Sequence, residues 1–290
     1  MVMGGRRQVG STIKPFLYAL AMQNGMTPCT TVRNVQHSYG GWTPRNGSHA
    51  RYGQQVPLKW ALQHSNNWIS ASLITTLGPQ QFVGILHDFG LNNPDIDRNA
   101  TPVLSLGPCE VSVGEMVSAY TAFANGGVRC APLFVTKIED SHGNVIAKFQ
   151  PLMTEVISED NSYRMIDMMR AVIDGGTGSR LKGAYGMKGD ICGKTGTTNS
   201  NSDGWFIAFT PELVSGAWVG GEDRDIHFDS TSLGQGAAAA LPIWAYFMKK
   251  VYADHQLGYS DKPQFAIPKD FDFCSTSEDT DVNDIQEVYF

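Results

Sequence analysis

The stretch GSTIKPFLYALAMQNG at residues 10–25 decides where the main buried helix of the chain begins. Its apolar residues recur at the spacing of one buried helix face, which predicts a helix over residues 11–24 that ends at Gly25. Pro15 fixes the start of this helix. Proline has no N–H and its ring clashes with the carbonyl four residues back, so it is tolerated only in the first turn. The sequence therefore places Ser11 at a helix N-terminus.

Composition indicates a globular chain and does not favour nucleic acid as a partner. Its 290 residues are 42% hydrophobic and 17% charged, enough to bury a core in one large domain or two small ones. The formal net charge of -6 offers no basic field to a phosphate backbone, so nucleic acid is not an expected partner. No apolar run reaches the roughly 18 residues needed to span a membrane, and residues 1–10 lack the apolar region of a signal peptide.

The cysteines and histidines predict no metal site and no cofactor. The five cysteines are an odd number without a C-x-x-C pair, which favours neither a disulfide framework nor zinc. We expect them to be small buried hydrophobic residues, with one disulfide possible. No pair of histidines has the H-E-x-x-H spacing of a metal site.

Further helices are predicted where apolar periodicity meets start and stop signals. One begins at Pro57 and the next at about Trp68, so that Ser65-Asn66-Asn67 lies in the turn between them, and the preceding residues 31–55 are expected to be irregular. The other predicted helices are 111–125, 161–173 and 237–252.

The remaining segments predict antiparallel β-structure. Residues 191–198, 205–209 and 214–219 are short β-rich runs separated by turn residues, and residues 134–138 and 145–149 predict a separate hairpin. The fold class is therefore mixed α/β. We assign residues 1–252 to one domain and residues 253–290 to an acidic, poorly ordered tail, because seven acidic residues and only Lys269 follow Pro268.

Three short motifs occur in a fixed order: Ser11-Thr12-Ile13-Lys14, Ser65-Asn66-Asn67 and Lys194-Thr195-Gly196. An S-x-x-K motif is expected roughly once by chance in a chain of this length, and a second one spans Ser179 to Lys182. That second motif lies in a Gly-rich connection with no apolar helix after it. Only Ser11 combines the spacing with a helix N-terminus.

The first motif suits nucleophilic catalysis. Serine is a weak nucleophile that needs an adjacent base, and residues three apart share one helix face, so Lys14 is expected to reach the Ser11 hydroxyl. Burial and the positive helix N-terminus both lower the pKa of a lysine, which allows Lys14 to accept a proton. The amide of Ser11 is placed to stabilise an oxyanion.

The other motifs suit the recognition of a peptide with a free C-terminus. Lys194, Thr195 and Thr197 offer an ammonium and two hydroxyls to a carboxylate, and Gly196 permits close approach of an extended peptide. From the opposite wall, Ser65 is expected to relay a proton to the leaving amine, and Asn67 to hold a substrate backbone group.

Each motif alone has a purely structural explanation. Ser11 could be a plain helix cap, Ser65 could cap the helix that begins near Trp68, and Lys194 could be a solvated strand end. Their joint occurrence in this order favours the catalytic interpretation, because the same set is typical of penicillin-interactive serine enzymes.

The wider sequence resembles the transpeptidase domain of class A, bifunctional penicillin-binding proteins from about Arg7 to Val251. The first motif, in the context RQVGSTIKPF, is similar to that family's nucleophile signature, with Val9 where proline is usual. Further matching segments are 42–46, 58–65, 123–127, 176–178, 203–206 and 241–244.

This resemblance implies an antiparallel sheet with helices on both faces, plus a helical subregion. It implies a peptidoglycan synthase reaction in which Ser11 attacks the penultimate D-alanine of a stem peptide, with Lys14 as base and the amides of Ser11 and Thr197 as oxyanion hole. An amine of a neighbouring stem then forms the cross-link, and β-lactams acylate the same serine. The implied location is the outer, periplasmic face of the bacterial cytoplasmic membrane.

The resemblance also implies missing parts. Only residues 1–10 precede the nucleophile helix, whereas the family has two strands there, so we expect an N-terminally truncated domain whose sheet lacks an edge strand. A membrane anchor and a glycosyltransferase domain are expected in the full-length protein and are absent from this chain.

Other activities share part of the pattern. A D,D-carboxypeptidase, which transfers to water, and a non-catalytic β-lactam sensor remain alternatives. A class A β-lactamase is disfavoured because Asn66 stands where that class has Asp, and a Ser-His-Asp hydrolase is disfavoured because G-x-S-x-G is absent.

Overall fold

The computed structural model describes residues 2–276. Within that range the α-helices are α1 (Lys14–Gln23), α2 (Leu58–Gln63), α3 (Asn67–Leu77), α4 (Pro79–Asp88), α5 (Pro94–Arg98), α6 (Val113–Ala124), α7 (Glu159–Gly175), α8 (Arg180–Gly183), α9 (Thr231–Gly234) and α10 (Gly236–Ala253). The strands are β1 (Arg6–Gln8), β2 (Thr31–Arg33), β3 (Gln55–Pro57), β4 (Glu110–Ser112), β5 (Val128–Cys130), β6 (Lys137–Glu139), β7 (Val145–Lys148), β8 (Met153–Glu155), β9 (Cys192–Thr197), β10 (Asp203–Phe209) and β11 (Val214–Gly220).

The principal sheet has three strands in the order β11-β10-β9, each antiparallel to the next. It confirms the three strands predicted in the last third of the chain. Along β10 the side chains alternate between two cores: Trp205, Ile207 and Phe209 belong to one, and Phe206 and Ala208 to the other. Because successive side chains of a strand point to opposite faces, this sheet is buried on both sides.

Helices cover both faces of the sheet, as the mixed α/β prediction requires. Helix α10 packs on one face, where Gly204 of β10 lies against Ala239. Helix α6 packs on the other face, where Gly216 of β11 lies against Val117. Helices α1 to α4 extend the second layer into a mainly helical region.

Helix α1 runs through the middle of the larger core. All of its residues from Lys14 to Met22 are buried, not only the stripe that its periodicity indicates. A helix that is apolar on every side is typical of such a central position. Its N-terminus differs in one respect from the prediction, because residues Gly10–Ile13 form a 3₁₀ turn and the α-helix begins at Lys14.

The other predicted helices are present with shifted bounds. Predicted helix 111–125 is α6, which begins two residues later because β4 occupies Glu110–Ser112 and pairs with β1. Ser112 and Glu115 form a capping box there. The predicted hairpin is β6 with β7, and the predicted irregular segment 31–55 contains β2 and the first residue of β3.

The residues after α10 return across the surface of the domain. Cys274 forms a disulfide with Cys29, 245 residues away in sequence. Arg164 of α7 donates a hydrogen bond to the Ser275 carbonyl at 2.8 Å and lies over the ring of Phe271. Residues 254–276 therefore lie against the domain, although they belong to the segment predicted to be a poorly ordered tail; residues 277–290 of that prediction lie outside the described residues.

Three cysteines within residues 2–276 are free. Cys109 and Cys192 are buried and Cys130 is partly buried. Between residues 2 and 276 no helix combines the length and apolar character that crossing a membrane requires.

Candidate active site

Ser11 lies in the 3₁₀ turn that leads into α1, where the turn packs against β9. Gly10 has a left-handed backbone with a φ of 53°, and a Cβ added to it would lie 2.8 Å from the Thr197 carbonyl oxygen. Only glycine permits this close approach. It brings the Ser11 backbone next to the end of the Lys-Thr-Gly strand.

The turn is also held in place by two buried hydrogen bonds. Tyr120 of α6 donates a hydrogen bond of 2.6 Å to the Thr12 carbonyl, and the Thr12 hydroxyl donates one of 2.7 Å to the Val9 carbonyl. Both bonds are buried, so they fix the conformation of the segment that carries Ser11.

Lys14 is fully buried, and its ammonium points at the second motif. Its Nζ donates to the Ser65 carbonyl at 2.7 Å, to Asn67 Oδ1 at 2.5 Å and to Ser65 Oγ at 3.3 Å. None of the hydrogen bonds found among residues 2–276 joins Lys14 to the Ser11 hydroxyl. The i to i+3 spacing thus puts Ser11 and Lys14 at the same end of the helix. The hydrogen bonds of the Lys14 ammonium, however, go to Ser65 and Asn67 of the second motif.

Ser65 occupies the tight turn between α2 and α3 in a left-handed conformation, with a φ of 53°. Such a conformation is uncommon for a residue other than glycine and is found at functional sites. Asn66, not Ser65, caps α3: its Oδ1 accepts from the Ile69 amide at 3.0 Å. The Ser65 hydroxyl is therefore not occupied by capping.

Asn67 begins α3 and is held on three sides. Its Oδ1 accepts from Lys14, its Nδ2 donates to the Arg45 carbonyl at 2.6 Å, and its backbone N–H donates to Asn46 Oδ1 at 2.6 Å. The side chain thus positions Lys14 in this structure, while its substrate contact stays a prediction. Sequence reasoning missed the role of Asn46, which appears in the sequence only as part of the matching segment 42–46.

Lys194 of β9 also contacts Ser65. Its buried Nζ donates to Ser65 Oγ at 2.9 Å and to the Thr195 carbonyl at 3.0 Å. The Thr195 hydroxyl lies 2.7 Å from the hydroxyl of Thr177, a residue of the loop between α7 and α8. The three motifs therefore meet at one hydroxyl, that of Ser65, which lies between two lysine ammonium groups.

Gly196 has a packing reason that the sequence did not reveal. A Cβ at this position would lie 2.8 Å from the Val9 carbonyl oxygen and 2.9 Å from Thr12 Cγ2. A larger residue would therefore push β9 away from the turn that carries Ser11. The role of Gly196 in close approach of a peptide stays a prediction beside this structural one.

The backbone of Thr197 faces the Ser11 turn. The Thr198 N–H donates to the Asp203 carbonyl at 3.1 Å, which makes that opposed pair a hydrogen-bonded one. Since such pairs alternate along antiparallel strands, the pair Thr197 and Gly204 is the non-bonded kind, and the Thr197 N–H points to the outer edge of β9. That edge is the one against the Ser11 turn.

Burial shifts both lysines toward their neutral forms. Burial, assisted by the nearby Lys194 ammonium, lowers the pKa of Lys14 well below its usual range. Burial lowers the pKa of Lys194 to about 7. An uncharged lysine is therefore accessible near neutral pH, as a proton acceptor requires.

The second S-x-x-K motif has none of these features. Ser179 immediately precedes the four-residue helix α8 and makes no capping hydrogen bond, and Lys182 forms an ion pair with Asp174 at 2.5 Å. Its lysine is thus occupied by a surface carboxylate.

This arrangement matches a known protein family. Residues 2–219 match the penicillin binding protein transpeptidase domain. The chain belongs to the penicillin-binding protein transpeptidase family. The family resemblance inferred from the three motifs is thereby confirmed.

Curated relatives within the family are longer than this chain. Penicillin-binding protein 1A of Neisseria lactamica is 34% identical over 259 residues, covering 84% of this chain and 31% of that protein. Penicillin-binding protein 1A of Aquifex aeolicus is 35% identical over 254 residues, covering 84% of this chain and 33% of that protein. The chain thus spans about a third of the length of these relatives.

Solved structures confirm the mixed α/β fold. The crystal structure of penicillin-binding protein 1A from Haemophilus influenzae superposes with a TM-score of 0.80 at 27% identity, covering 92% of this chain and 44% of that one. Penicillin-binding protein A of M. tuberculosis, solved as an imipenem acyl-enzyme complex, gives a TM-score of 0.70 at 21% identity, covering 86% of this chain and 61% of that one. The latter likeness shows the shared fold alone.

Proposed function

We propose that this chain is a serine D,D-transpeptidase that cross-links peptidoglycan stem peptides through an acyl-enzyme on Ser11. The observation that carries the proposal is the meeting of two buried lysines at the Ser65 hydroxyl; one of them, Lys14, begins the buried helix that follows the turn holding Ser11. A structural cap or a solvated strand end needs neither buried lysine, because burying an ammonium costs free energy unless another requirement offsets it.

Acylation uses groups from all three motifs. The Ser11 oxygen attacks the carbonyl carbon of the penultimate D-alanine while its proton passes to the neutral amine of Lys14. The N–H groups of Ser11 and Thr197 bind the oxyanion that forms. Collapse breaks the peptide C–N bond, and a proton relayed through Ser65 leaves with the amine of the terminal D-alanine.

Recognition of the terminal carboxylate falls to β9. Lys194, Thr195 and Thr197, which offer an ammonium and two hydroxyls, all belong to β9, the strand that packs against the Ser11 turn. A charge-assisted hydrogen bond from an ammonium to a carboxylate is about twice as strong as a neutral one, which favours substrates with a free C-terminus. β-Lactams carry a carboxylate beside a strained amide and would bind in the same way.

The second half-reaction, deacylation, regenerates the free enzyme. An amine of a neighbouring stem peptide attacks the ester on Ser11, loses a proton to Lys14 or Ser65, and releases the serine oxygen as a hydroxyl. The product is a new peptide bond between two stems. If water replaces the amine, the same steps give a carboxypeptidase.

A location outside the cytoplasm agrees with the Cys29–Cys274 disulfide. Disulfides persist in oxidising compartments and are rare where thiols are kept reduced. We propose that the domain works at the outer face of the cytoplasmic membrane, where peptidoglycan is assembled.

Labelling with a fluorescent penicillin tests the site. Wild type is expected to form a stable covalent adduct that maps to Ser11, whereas Ser11→Ala is not labelled and Ser179→Ala is labelled like wild type. Labelling of Ser11→Ala at the wild-type level would assign the nucleophile to another residue.

The fate of the acyl group separates the alternatives. A stem-peptide donor ending in D-Ala-D-Ala is incubated with and without an amine acceptor, and the products are resolved by mass spectrometry. Cross-linked product that grows with acceptor concentration is expected. Hydrolysis alone at every acceptor concentration indicates a carboxypeptidase, and penicillin labelling without turnover of the donor indicates a β-lactam sensor.

A further inference from the structure

A buried carboxylate lies just behind the candidate oxyanion hole. Asp203 begins β10, and its side chain is only 1% exposed. Its Oδ2 accepts from the Thr198 hydroxyl at 2.8 Å and from Arg224 at 2.6 Å, and its Oδ1 accepts from the Trp218 indole N–H at 3.1 Å. All of these donors come from different parts of the chain, so this one group ties three segments together.

One of these links reaches the residue after Thr197. Besides donating to the carboxylate, the Thr198 hydroxyl accepts from the Asp203 N–H at 3.1 Å, and the Thr198 N–H donates to the Asp203 carbonyl at 3.1 Å. Thr198 and Asp203 therefore form a closed set of three hydrogen bonds. The set fixes the end of β9 immediately after the amide that faces Ser11.

The turn that follows depends on this set. Ser200 and Asn201 both have left-handed backbones, with φ of 60° and 56°. Two consecutive residues of this kind are unfavourable unless the surroundings determine their conformation. The Asp203 set closes the turn at its base, so that its strain is not relieved by a shift of Thr197 and Thr198.

Closing a turn does not by itself require a charged side chain, so the charge of Asp203 calls for another explanation. Removing a carboxylate from water costs free energy, and this cost is offset only with good geometry and full hydrogen bonding. Asp203 meets both conditions through Arg224, Trp218 and Thr198. A carboxylate held this firmly restricts the position of its neighbours more narrowly than an amide would.

We propose that Asp203 is a positioning residue that fixes the Thr197 N–H as an oxyanion donor through Thr198, with Arg224 balancing its charge. This inference rests on the proposed transpeptidase function and adds to it a residue that does not touch substrate. Preorganised donors stabilise a developing oxyanion only when they are already aimed at its position, which is the property that the Asp203 set supplies.

The test is the kinetics of acylation of the 290-residue chain by a penicillin, resolved into the non-covalent dissociation constant and the acylation rate constant. Asp203→Asn is expected to lower the acylation rate constant about 10-fold to 100-fold, since loss of a whole oxyanion donor costs about 100-fold to 1,000-fold. The dissociation constant should stay within about twofold of wild type, because the groups that bind the carboxylate are intact.

The carbonyl stretch of the acyl-enzyme ester, read by infrared difference spectroscopy, reports the oxyanion hole directly. In wild type the band is expected at low wavenumber, because two N–H donors polarise the carbonyl. In Asp203→Asn it should move to higher wavenumber. Asp229→Asn, which removes a carboxylate from an exposed position on the loop that carries Arg224, is the control and should leave the band and the rate unchanged.

Thr198 provides a second route if Asp203→Asn does not fold. Thr198→Val removes the hydroxyl and keeps the ion pair with Arg224, so it should reproduce the slower acylation and the shifted band. Thr198→Ser restores the hydroxyl and should restore both. Variants that lose thermal stability but keep the wild-type rate and band would reduce Asp203 to a purely structural role. If wild type itself is not acylated, the proposed function fails and this inference fails with it.

Discussion

At the scale of single residues, Lys14 and Lys194 contact the same hydroxyl, yet the proposed reaction needs them in opposite protonation states. Lys14 must be neutral to accept the Ser11 proton, and Lys194 must be charged to hold a carboxylate. Burial lowers the pKa of both, and the Lys194 charge lowers that of Lys14 further. When the two lysines together carry a single positive charge, we therefore expect that charge on Lys194, with Lys14 neutral.

This division predicts a bell-shaped pH dependence of acylation. The rate should rise with pH as Lys14 loses its proton, and fall above about pH 7 as Lys194, with its pKa lowered to about 7, loses its own. The measurement is the second-order rate constant of acylation by a penicillin between about pH 5 and pH 9. A rate that continues to rise to the top of this range would contradict the role of Lys194.

A penicillin ester is the matched control for that experiment. Esterification removes the carboxylate that Lys194 is expected to bind but keeps the reactive amide. The falling limb should then disappear, while the rising limb due to Lys14 remains. Persistence of the falling limb with the ester would show that this limb comes from a group of the protein other than Lys194.

Local sequence signals located the residues of the site but not their contacts. The position of Ser11 follows from Pro15, because the constraint on proline acts within one helical turn. The bonds of Lys14 do not follow, because they depend on Ser65 and Asn67, which lie 51 and 53 residues away. Asp203 was noted only within a matching segment, since its donors come from Thr198, Trp218 and Arg224 on three different segments.

At the scale of elements, the sequence predicted those that have strong periodicity or clear stops. Helices α1, α6, α7 and α10 and strands β9 to β11 fall in this class. Strands of three residues, such as β1 and β4, were missed because they are defined by pairing with each other and not by a pattern of their own. The same limit applies to the Cys29–Cys274 disulfide, whose partners meet only after the whole domain has folded.

The disulfide should stabilise the domain by holding residues 254–276 in place. It closes a loop of 245 residues, and cross-links of this kind typically add about 2–5 kcal/mol. We expect Cys29→Ser to lower the free energy of unfolding by about that amount. Urea unfolding, followed by fluorescence, measures the change.

A cysteine outside the disulfide supplies the comparison. Cys130→Ser removes a free, partly buried thiol and should change the unfolding free energy much less than Cys29→Ser does. Addition of a reductant should bring wild type to the level of Cys29→Ser and leave that variant unaffected. If wild type had the same free energy of unfolding with and without reductant, the disulfide would not contribute to stability.

At the scale of the whole molecule, the site lies where the two cores of the domain share one sheet. Trp205 belongs to the core around α1, and Phe206 belongs to the core next to α10. Strand β9 is hydrogen-bonded to β10 and therefore lies between the same two cores. Lys194 is buried in this same region. The stability of the fold and the protonation of the site are therefore linked.

The linkage predicts that Lys194 makes the folded state less stable at neutral pH than at higher pH. Its pKa is about 7 in the folded state and about 10.4 in an unfolded chain, so between these values the unfolded state binds more protons at this lysine. The free energy of unfolding contributed by Lys194 therefore rises with pH across this window, by on the order of 4 kcal/mol, and is constant below it. Urea unfolding at several pH values measures it.

Buried thiols act in the opposite direction and must be cancelled in that measurement. Burial raises the pKa of Cys109 to about 12, so above about pH 8.5 the unfolded state loses a proton that the folded state keeps, and stability falls. Comparison with Lys194→Met removes this contribution, because both proteins contain the same cysteines. The difference in unfolding free energy, wild type minus variant, should rise steadily above about pH 7. A difference that does not change with pH would mean that Lys194 keeps an ordinary pKa in the folded protein, and the falling limb of acylation would then need another group.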